Sequence, residues 1–170
     1  FASPTHQDAW EYLVNGLESG QSPLLVTGER GTGKTLLCLK FVAEMTQSES
    51  VRFIYNPVPT VDYRFILKAV AQRIGLTCAE DTEETLQHAI FRYFQEHDDN
   101  TSIYLIFDDA EAISFPTLEK IVYFANFNRR SFFPFRLIFF SRAALCDRLA
   151  LLHLDTLLNC RLRSFVINAL

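Results

Sequence analysis

The run Gly28-Glu29-Arg30-Gly31-Thr32-Gly33-Lys34-Thr35 carries the clearest chemistry in this sequence. Its informative positions are two glycines separated by four residues, then a lysine and a threonine. Glycine lets a backbone close around phosphate oxygens with its N–H groups pointing inward. A helix starting near Lys34 would add the positive end of its dipole at the same spot. Lys34 would serve as a mobile charge for β- and γ-phosphates, and Thr35 would offer a hydroxyl to Mg²⁺. The candidate binding stretch therefore comprises Gly28, Glu29, Arg30, Gly31, Thr32, Gly33, Lys34, Thr35 and Leu36.

That string matches the P-loop pattern, and its flanks suit it. Leu24-Leu25-Val26 reads as a buried strand leading in, and Lys34 to Thr46 as a helix with apolar Leu36, Leu37, Leu39, Phe41 and Val42. Such a site needs a second apolar strand ending in aspartate, which Ile103 to Phe107 followed by Asp108 supplies. Asp108 would hold Mg²⁺, mostly through water, from the carboxyl end of a neighbouring strand. The next residue, Asp109, is the candidate for orienting an attacking water. Enzymes of this architecture that hydrolyse their nucleotide commonly place glutamate there, and Glu111 stands two positions further on. A carboxylate shorter by about one carbon–carbon bond should slow turnover, because near-attack geometry is demanding. The reading favours slow hydrolysis. No Asn-Lys-x-Asp string is present to read guanine, which tilts the nucleotide to ATP.

The remaining elements form a scaffold around these two strands. Thr5 to Leu17 is a helix with Trp10, Leu13, Val14 and Leu17 on one face. Val51 to Tyr55 is a strand stopped by Asn56-Pro57 and Pro59. Val61 to Ile74 has helical spacing in Phe65, Ile66, Val70 and Ile74, with Gly75 as its stop. Asp81 or Thr82 caps the next helix, whose stripe is Leu86, Ile90, Phe91 and Phe94. A helix from about Pro116 to Asn128, a strand from Arg136 to Phe140, a helix from Ala143 to Leu152 and a strand from Ser164 to Ile167 complete the chain. Strands alternating with helices predict an α/β fold: a three-layer α/β/α sandwich on a five-stranded, mainly parallel sheet.

At 170 residues, with 49% hydrophobic and 21% charged residues, one ordered domain is expected rather than disorder or two domains. No apolar run nears the ~20 residues of a membrane helix, and nothing resembles a signal peptide. A start at Phe1 suggests a fragment of a longer protein. Cys38, Cys78, Cys146 and Cys160 are scattered without metal-ligand spacing and read as reduced thiols of a cytosolic protein. His6, His88, His97 and His153 read as structural or solvated. Net charge is −4, unevenly spread: residues 1–112 hold 8 basic and 17 acidic side chains, and residues 113–170 hold 8 and 3. All of the later bases except Lys120 are arginines, which marks either a face for an anion or acidic partner or solvated helix ends.

Beyond the P-loop, the spacing resembles the AAA+ ATPases, and within them the general secretion pathway ATPases of the ExeA type. Ser3-Pro4-Thr5-His6-Gln7-Asp8-Ala9 resembles that family's lead-in helix, and Tyr55-Asn56-Pro57 the Asn-Pro after its second strand. Asp108-Asp109-Ala110-Glu111 stands where the family usually reads Asp-Glu-Ala-Gln, and Phe124-Ala125-Asn126-Phe127 resembles its Leu-x-Asn-Leu helix. The resemblance implies that Ser141 is the polar sensor of the γ-phosphate, unless it simply ends its strand. It also implies an arginine finger in the segment Leu158 to Phe165, with Arg161 the first candidate and Arg163 the second, against a surface arginine that pairs locally. A finger implies self-association. The resemblance further implies an AAA+ core lacking its C-terminal helical lid.

Taken together, these features predict a domain that binds ATP and Mg²⁺ and acts as a slow motor or switch in assembly of a bacterial secretion or pilus system. Partners would be ATP and ADP, a second copy, and envelope proteins reached through regions outside this chain. The domain would be cytoplasmic, its parent anchored at the inner membrane. A nucleotide-gated scaffold with negligible hydrolysis is the alternative from another class, and a regulator of DNA transposition or replication a third. Acidic balance and the lack of a clustered Lys/Arg stretch argue against nucleic acid.

Overall fold

The computed structural model describes residues 4–46, 51–57, 62–78, 81–97, 102–126, 135–152 and 164–168. Along the chain it comprises α1 (Pro4–Glu18), β1 (Leu24–Gly28), α2 (Lys34–Met45), β2 (Val51–Asn56), α3 (Tyr63–Arg73) and α4 (Glu83–Glu96). There follow β3 (Ser102–Phe107), a 3₁₀ turn (Ala110–Ala112), α5 (Phe115–Asn126), β4 (Phe135–Ser141), α6 (Ala144–Leu151) and β5 (Ser164–Ile167). The strands form one sheet in the order β2-β3-β4-β1-β5, parallel at every pairing. The expected α/β/α layering is therefore present, and the sheet is wholly rather than mainly parallel.

Parallel strands buried on both faces are apolar throughout, and their alternate residues serve two different cores. In β3, Ile103, Leu105 and Phe107 face a core completed by α3, α4, α5 and α6, whereas Tyr104 and Ile106 face one completed by α1 and α2. In β4, Phe135, Leu137 and Phe139 divide from Ile138 and Phe140 in the same way. Each fully buried side chain of this kind stabilises the fold by about 1.5–3 kcal/mol. Aromatic rings stiffen both cores. Phe41 meets Trp10 edge-on at 5.6 Å and Phe53 at 6.0 Å on the α1–α2 face, while Phe124 contacts Phe91 and Phe135 on the other.

Local signals set the element ends. Thr82, rather than Asp81, caps α4, its hydroxyl accepting from the Thr85 amide while the Thr85 hydroxyl accepts from the Thr82 amide. Glu83 and Glu84 occupy the first turn, where carboxylates suit the helix dipole. Asp62 caps α3. Gly75, at φ 77°, takes the left-handed position after that helix, as its sequence placement predicts. Val61 and residues 127–128, assigned to helices from sequence, lie outside the described residues. Cys38 is buried and Cys78 and Cys146 half-buried, all with free thiols; Cys160 and His153 lie outside the described residues. Among the described residues no helix is long and apolar enough to cross a membrane, and no cluster of three metal-ligating side chains occurs.

Candidate functional site

The carboxyl ends of β1, β3 and β4 share one edge of the sheet, because parallel pairing brings Thr27 opposite Ser141 and keeps Phe107 level with Phe139. A cleft of about 640 Å³ opens there, within the range of small-molecule sites. It is lined by Arg30, Gly31, Gly33, Lys34, Thr35 and Leu36 from the loop and helix start, with Leu39, Asp109, Glu111, Ala112 and Arg142 around them. The two halves of the site predicted from sequence are thus brought together.

The loop between β1 and α2 is tightly braced. Thr32 Oγ1 donates to the Glu29 carbonyl at 2.8 Å, and Lys34 Nζ donates to the carbonyls of Gly28 and Glu29, each at 2.8 Å. Lys34 is buried, with its charge held at the floor of the cleft. Gly33 precedes α2 in the left-handed region, φ 83°, and accepts from the Leu37 amide at 2.9 Å. Gly28 is held by crowding: a Cβ there would lie 2.7 Å from the Ile167 carbonyl oxygen and 2.8 Å from Thr32 Oγ1. Leu36, placed in the binding stretch from sequence, and Leu39 are 60% and 47% exposed and border the cleft.

Asp108 ends β3 almost fully covered. Its Oδ1 accepts from the Asp109 amide at 3.0 Å, and the Thr35 hydroxyl hydrogen-bonds the same carboxylate. Burial raises its pKa above the ordinary value; the Thr35 hydroxyl, the Asp109 amide and the charge of Lys34 oppose that rise, while neighbouring Asp109 adds to it. Hard oxygen donors side by side suit Mg²⁺, so the pairing of Thr35 with Asp108 fits the expected cation. Tyr55, at the end of β2, also hydrogen-bonds Asp108, and its phenol is pushed up to about 12 by burial first and then by neighbouring Cys38 and Asp108. Burial and Asp108 push the Cys38 thiol up as well, which favours its neutral form.

Asp109 is exposed, borders the cleft and sits at φ 48°, the left-handed region that aspartate tolerates better than most residues. Ser141 is fully buried, and its hydroxyl donates to the Arg142 carbonyl at 2.7 Å; the side chain reaching the cleft from the end of β4 is that of Arg142. Glu111 accepts from Arg142 Nε at 2.7 Å. Burial works to raise its pKa, but the hydrogen bonds and charge of Arg142 prevail and hold the carboxyl below the ordinary range. Arg161 and Arg163 lie outside the described residues.

Two side chains at the site escaped the sequence reading, and the contact made by a third is visible only in the fold. His6, read there as structural or solvated, is buried beneath the loop, and its Nε2–H donates to the Thr32 carbonyl at 2.9 Å. Tyr55 and Arg142 were visible only as neighbours, one before Asn56-Pro57 and the other after Ser141. A histidine in the lead-in helix and an arginine directly after a strand end were the available signals.

A parallel α/β sheet with this strand order, a glycine loop closing on a buried lysine, and a threonine–aspartate pair beside it define a P-loop nucleoside-triphosphatase type of domain. The sequence pattern of the family described as "AAA domain" matches residues 17–149, and the chain belongs to that family. Membership makes nucleotide binding the family property to expect. Among solved structures, Cdc6p from Pyrobaculum aerophilum is similar in fold, with TM-score 0.67 and 15% identity over 97% of this chain and 45% of that one. A Drosophila structure described as ORC bound to AT-rich DNA and Cdc6 gives TM-score 0.64 and 15% identity over 96% and 55%. The ORC2 protein of Aeropyrum pernix in its ADP form gives 0.62 and 15% over 96% and 47%. The chain spans about half the length of these structures. No curated protein sequence matches it.

Proposed function

We propose that this domain binds ATP with Mg²⁺ and hydrolyses it slowly, serving as a motor or switch. The observation that carries the reading is that Lys34 and Thr35 line one cleft at the carboxyl edge of the sheet while the buried Asp108 carboxylate hydrogen-bonds Thr35 beside it. Lys34 would turn from the Gly28 and Glu29 carbonyls to the β- and γ-phosphates, a stronger acceptor for a compact ammonium. Thr35 and Asp108 would hold the magnesium, which supplies charge neutralisation on the phosphates. Asp109 would orient the attacking water and Ser141 would sense the γ-phosphate through the strand end it occupies. The finger from a second copy, Arg161 or Arg163, would complete the site.

The setting we propose is assembly of a bacterial secretion or pilus system, on the strength of the ExeA-type resemblance in the lead-in helix and in Asp108-Asp109-Ala110-Glu111. His6 gives that resemblance physical content, since it ties the lead-in helix to the loop. The fold likeness to structures described as bound to DNA favours one second reading, a DNA-directed regulator. Single-turnover hydrolysis by the parent, Lys34→Ala and Asp109→Glu tests the first. Turnover abolished by Lys34→Ala and raised by Asp109→Glu supports a slow enzyme; none in the parent or in Asp109→Glu points to a nucleotide-gated scaffold. Salt-dependent binding of duplex DNA would favour the second reading.

A further inference from the structure

Helix α1 buries His6, Ala9, Leu13 and Gly16, spaced so that they share one face, and His6 is the polar member of that set. Ala9 and Leu13 lie in the core that holds Leu37, Cys38 and Phe41 of α2. The Trp10 ring meets Phe41 edge-on, and the Lys40 ammonium lies 5.2 Å from the centre of the same indole. These contacts fix α1 against α2, so His6 is held in place beside the start of α2, where the loop ends. Its Nε2–H donates to the Thr32 carbonyl at 2.9 Å. A Cβ on Gly33 would meet His6 Nε2 first, at 2.9 Å, with Cδ2 and Cε1 behind it at 3.8 Å. The ring thus presents its Nε2 edge to the Thr32–Gly33 peptide.

A peptide unit is planar, and in its trans form the C=O and the following N–H point in opposite directions. The Thr32–Gly33 unit is trans. Its carbonyl is turned toward buried His6, so its N–H, that of Gly33, faces the other way, into the cleft that Gly33 and Lys34 line. The Gly33 carbonyl, one residue on, already accepts from the Leu37 amide of α2, which leaves the Thr32 carbonyl to His6. Glycine permits φ of either sign, so at Gly33 this peptide could turn over at little steric cost. A bond from a packed side chain holds one orientation against that freedom.

Resting on the nucleotide-site reading above, we infer that His6 is a positioning residue for phosphate binding: from α1 it holds the Thr32–Gly33 peptide with the Gly33 N–H aimed into the cleft before any nucleotide enters. The amide is then a preorganised donor for a phosphate oxygen, and no ordering of that peptide is left for the moment of binding. A histidine ring can donate from Nε2 in its neutral form and in its charged form, so the hold does not require a charge on the ring.

The test is equilibrium binding of ADP and of a β,γ-imido ATP analogue, each with Mg²⁺, to the parent chain, His6→Leu, His6→Gln and Phe124→Ala. The Gly33 amide resonance is followed in ¹⁵N-labelled samples of the first three. His6→Leu occupies the space without a donor and should weaken both nucleotides by a similar factor, about fivefold, the worth of one ordinary hydrogen bond. His6→Gln restores an N–H donor and should recover most of that loss. Phe124→Ala destabilises the core on the other face of the sheet and should leave both affinities within about threefold, which separates a lost hold on the loop from lost stability. The shift of the Gly33 amide proton on nucleotide binding should shrink in His6→Leu and return in His6→Gln. A His6→Leu protein that binds within about twofold of the parent overturns the positioning role while leaving the nucleotide site standing. So does His6→Gln no better than His6→Leu, a loss in Phe124→Ala equal to that in His6→Leu, or a Gly33 shift as large in His6→Leu as in the parent. A parent that binds neither nucleotide overturns the site and the positioning role together.

Discussion

Replacing Gly33 with alanine probes how the phosphate loop is shaped from below. At φ 83° an alanine would sit in the left-handed region, at a cost of roughly 1–2 kcal/mol. Its Cβ would also lie 2.9 Å from His6 Nε2, and overpacking of that kind costs about 1–3 kcal/mol. The sum is roughly 2–5 kcal/mol, and at about 2–4 °C per kcal/mol for a domain of this size the melting temperature should fall by roughly 10 °C. His6→Ala alone removes the hydrogen bond to the Thr32 carbonyl and should cost about 1 kcal/mol. The double variant relieves the crowding but keeps the strained φ. It should therefore be more stable than the sum of the two single changes by about 1–3 kcal/mol, read from urea unfolding of all four proteins. Additivity within about 0.5 kcal/mol, or a Gly33→Ala protein melting within a degree or so of the parent, would refute the idea that His6 shapes the loop by contact with Gly33.

Lys34→Ala should abolish nucleotide-dependent stabilisation; in the parent, saturating ATP at about 100 times Kd should add about 2.7 kcal/mol, readable as a melting shift that the variant lacks. Asp108→Asn should raise the melting temperature at pH 7 without ligand or divalent cation and remove any Mg²⁺ dependence of nucleotide binding. The sign follows from burial: a carboxyl whose folded pKa is raised contributes stability below its unfolded pKa and loses it as pH rises through the folded one, so the gain should shrink toward about pH 4. A lower melting temperature for Asp108→Asn at pH 7 would show that the buried charge is not a net cost to the fold. Phe124→Ala, in the core shared by α3, α4 and α5, should cost about 3–5 kcal/mol by chemical denaturation and leave nucleotide affinity within about threefold.

Layer order and strand identity were legible because β1, β3 and β4 are buried on both faces and therefore read as largely apolar runs. The phosphate loop was legible because its spacing of glycines, lysine and threonine is local and a left-handed φ at Gly33 is a local demand, whereas the close approach at Gly28 also involves the distant Ile167. What stayed hidden depends on distance in sequence. His6 reaches Thr32 across 26 positions, and Glu111 reaches Arg142 across 31, pairings that only the folded sheet creates. The exposure of Leu36 and Leu39 was not legible, because spacing records which residues are apolar whereas exposure depends on what packs against them. Ser141 was placed at the right strand end, yet the direction of its hydroxyl follows from the turn after β4, which no local pattern encodes.

The position of β1 also dictates a schedule. The strand that carries the phosphate loop is made early, yet its two sheet neighbours are β4 and β5, with Leu25 opposite Phe139 on one side and Ser164 on the other. At about 5–20 residues per second of synthesis, the interval before both neighbours exist is on the order of ten seconds. During that time β1 is an apolar segment with unpaired edges, the kind of segment that draws chaperones or aggregates. Gly28 cannot reach its final packing until Ile167 has arrived beside it. Within this domain the loop is thus translated well before the two strands that flank it, and a ligand that needs its finished shape acts as a lock on a completed sheet.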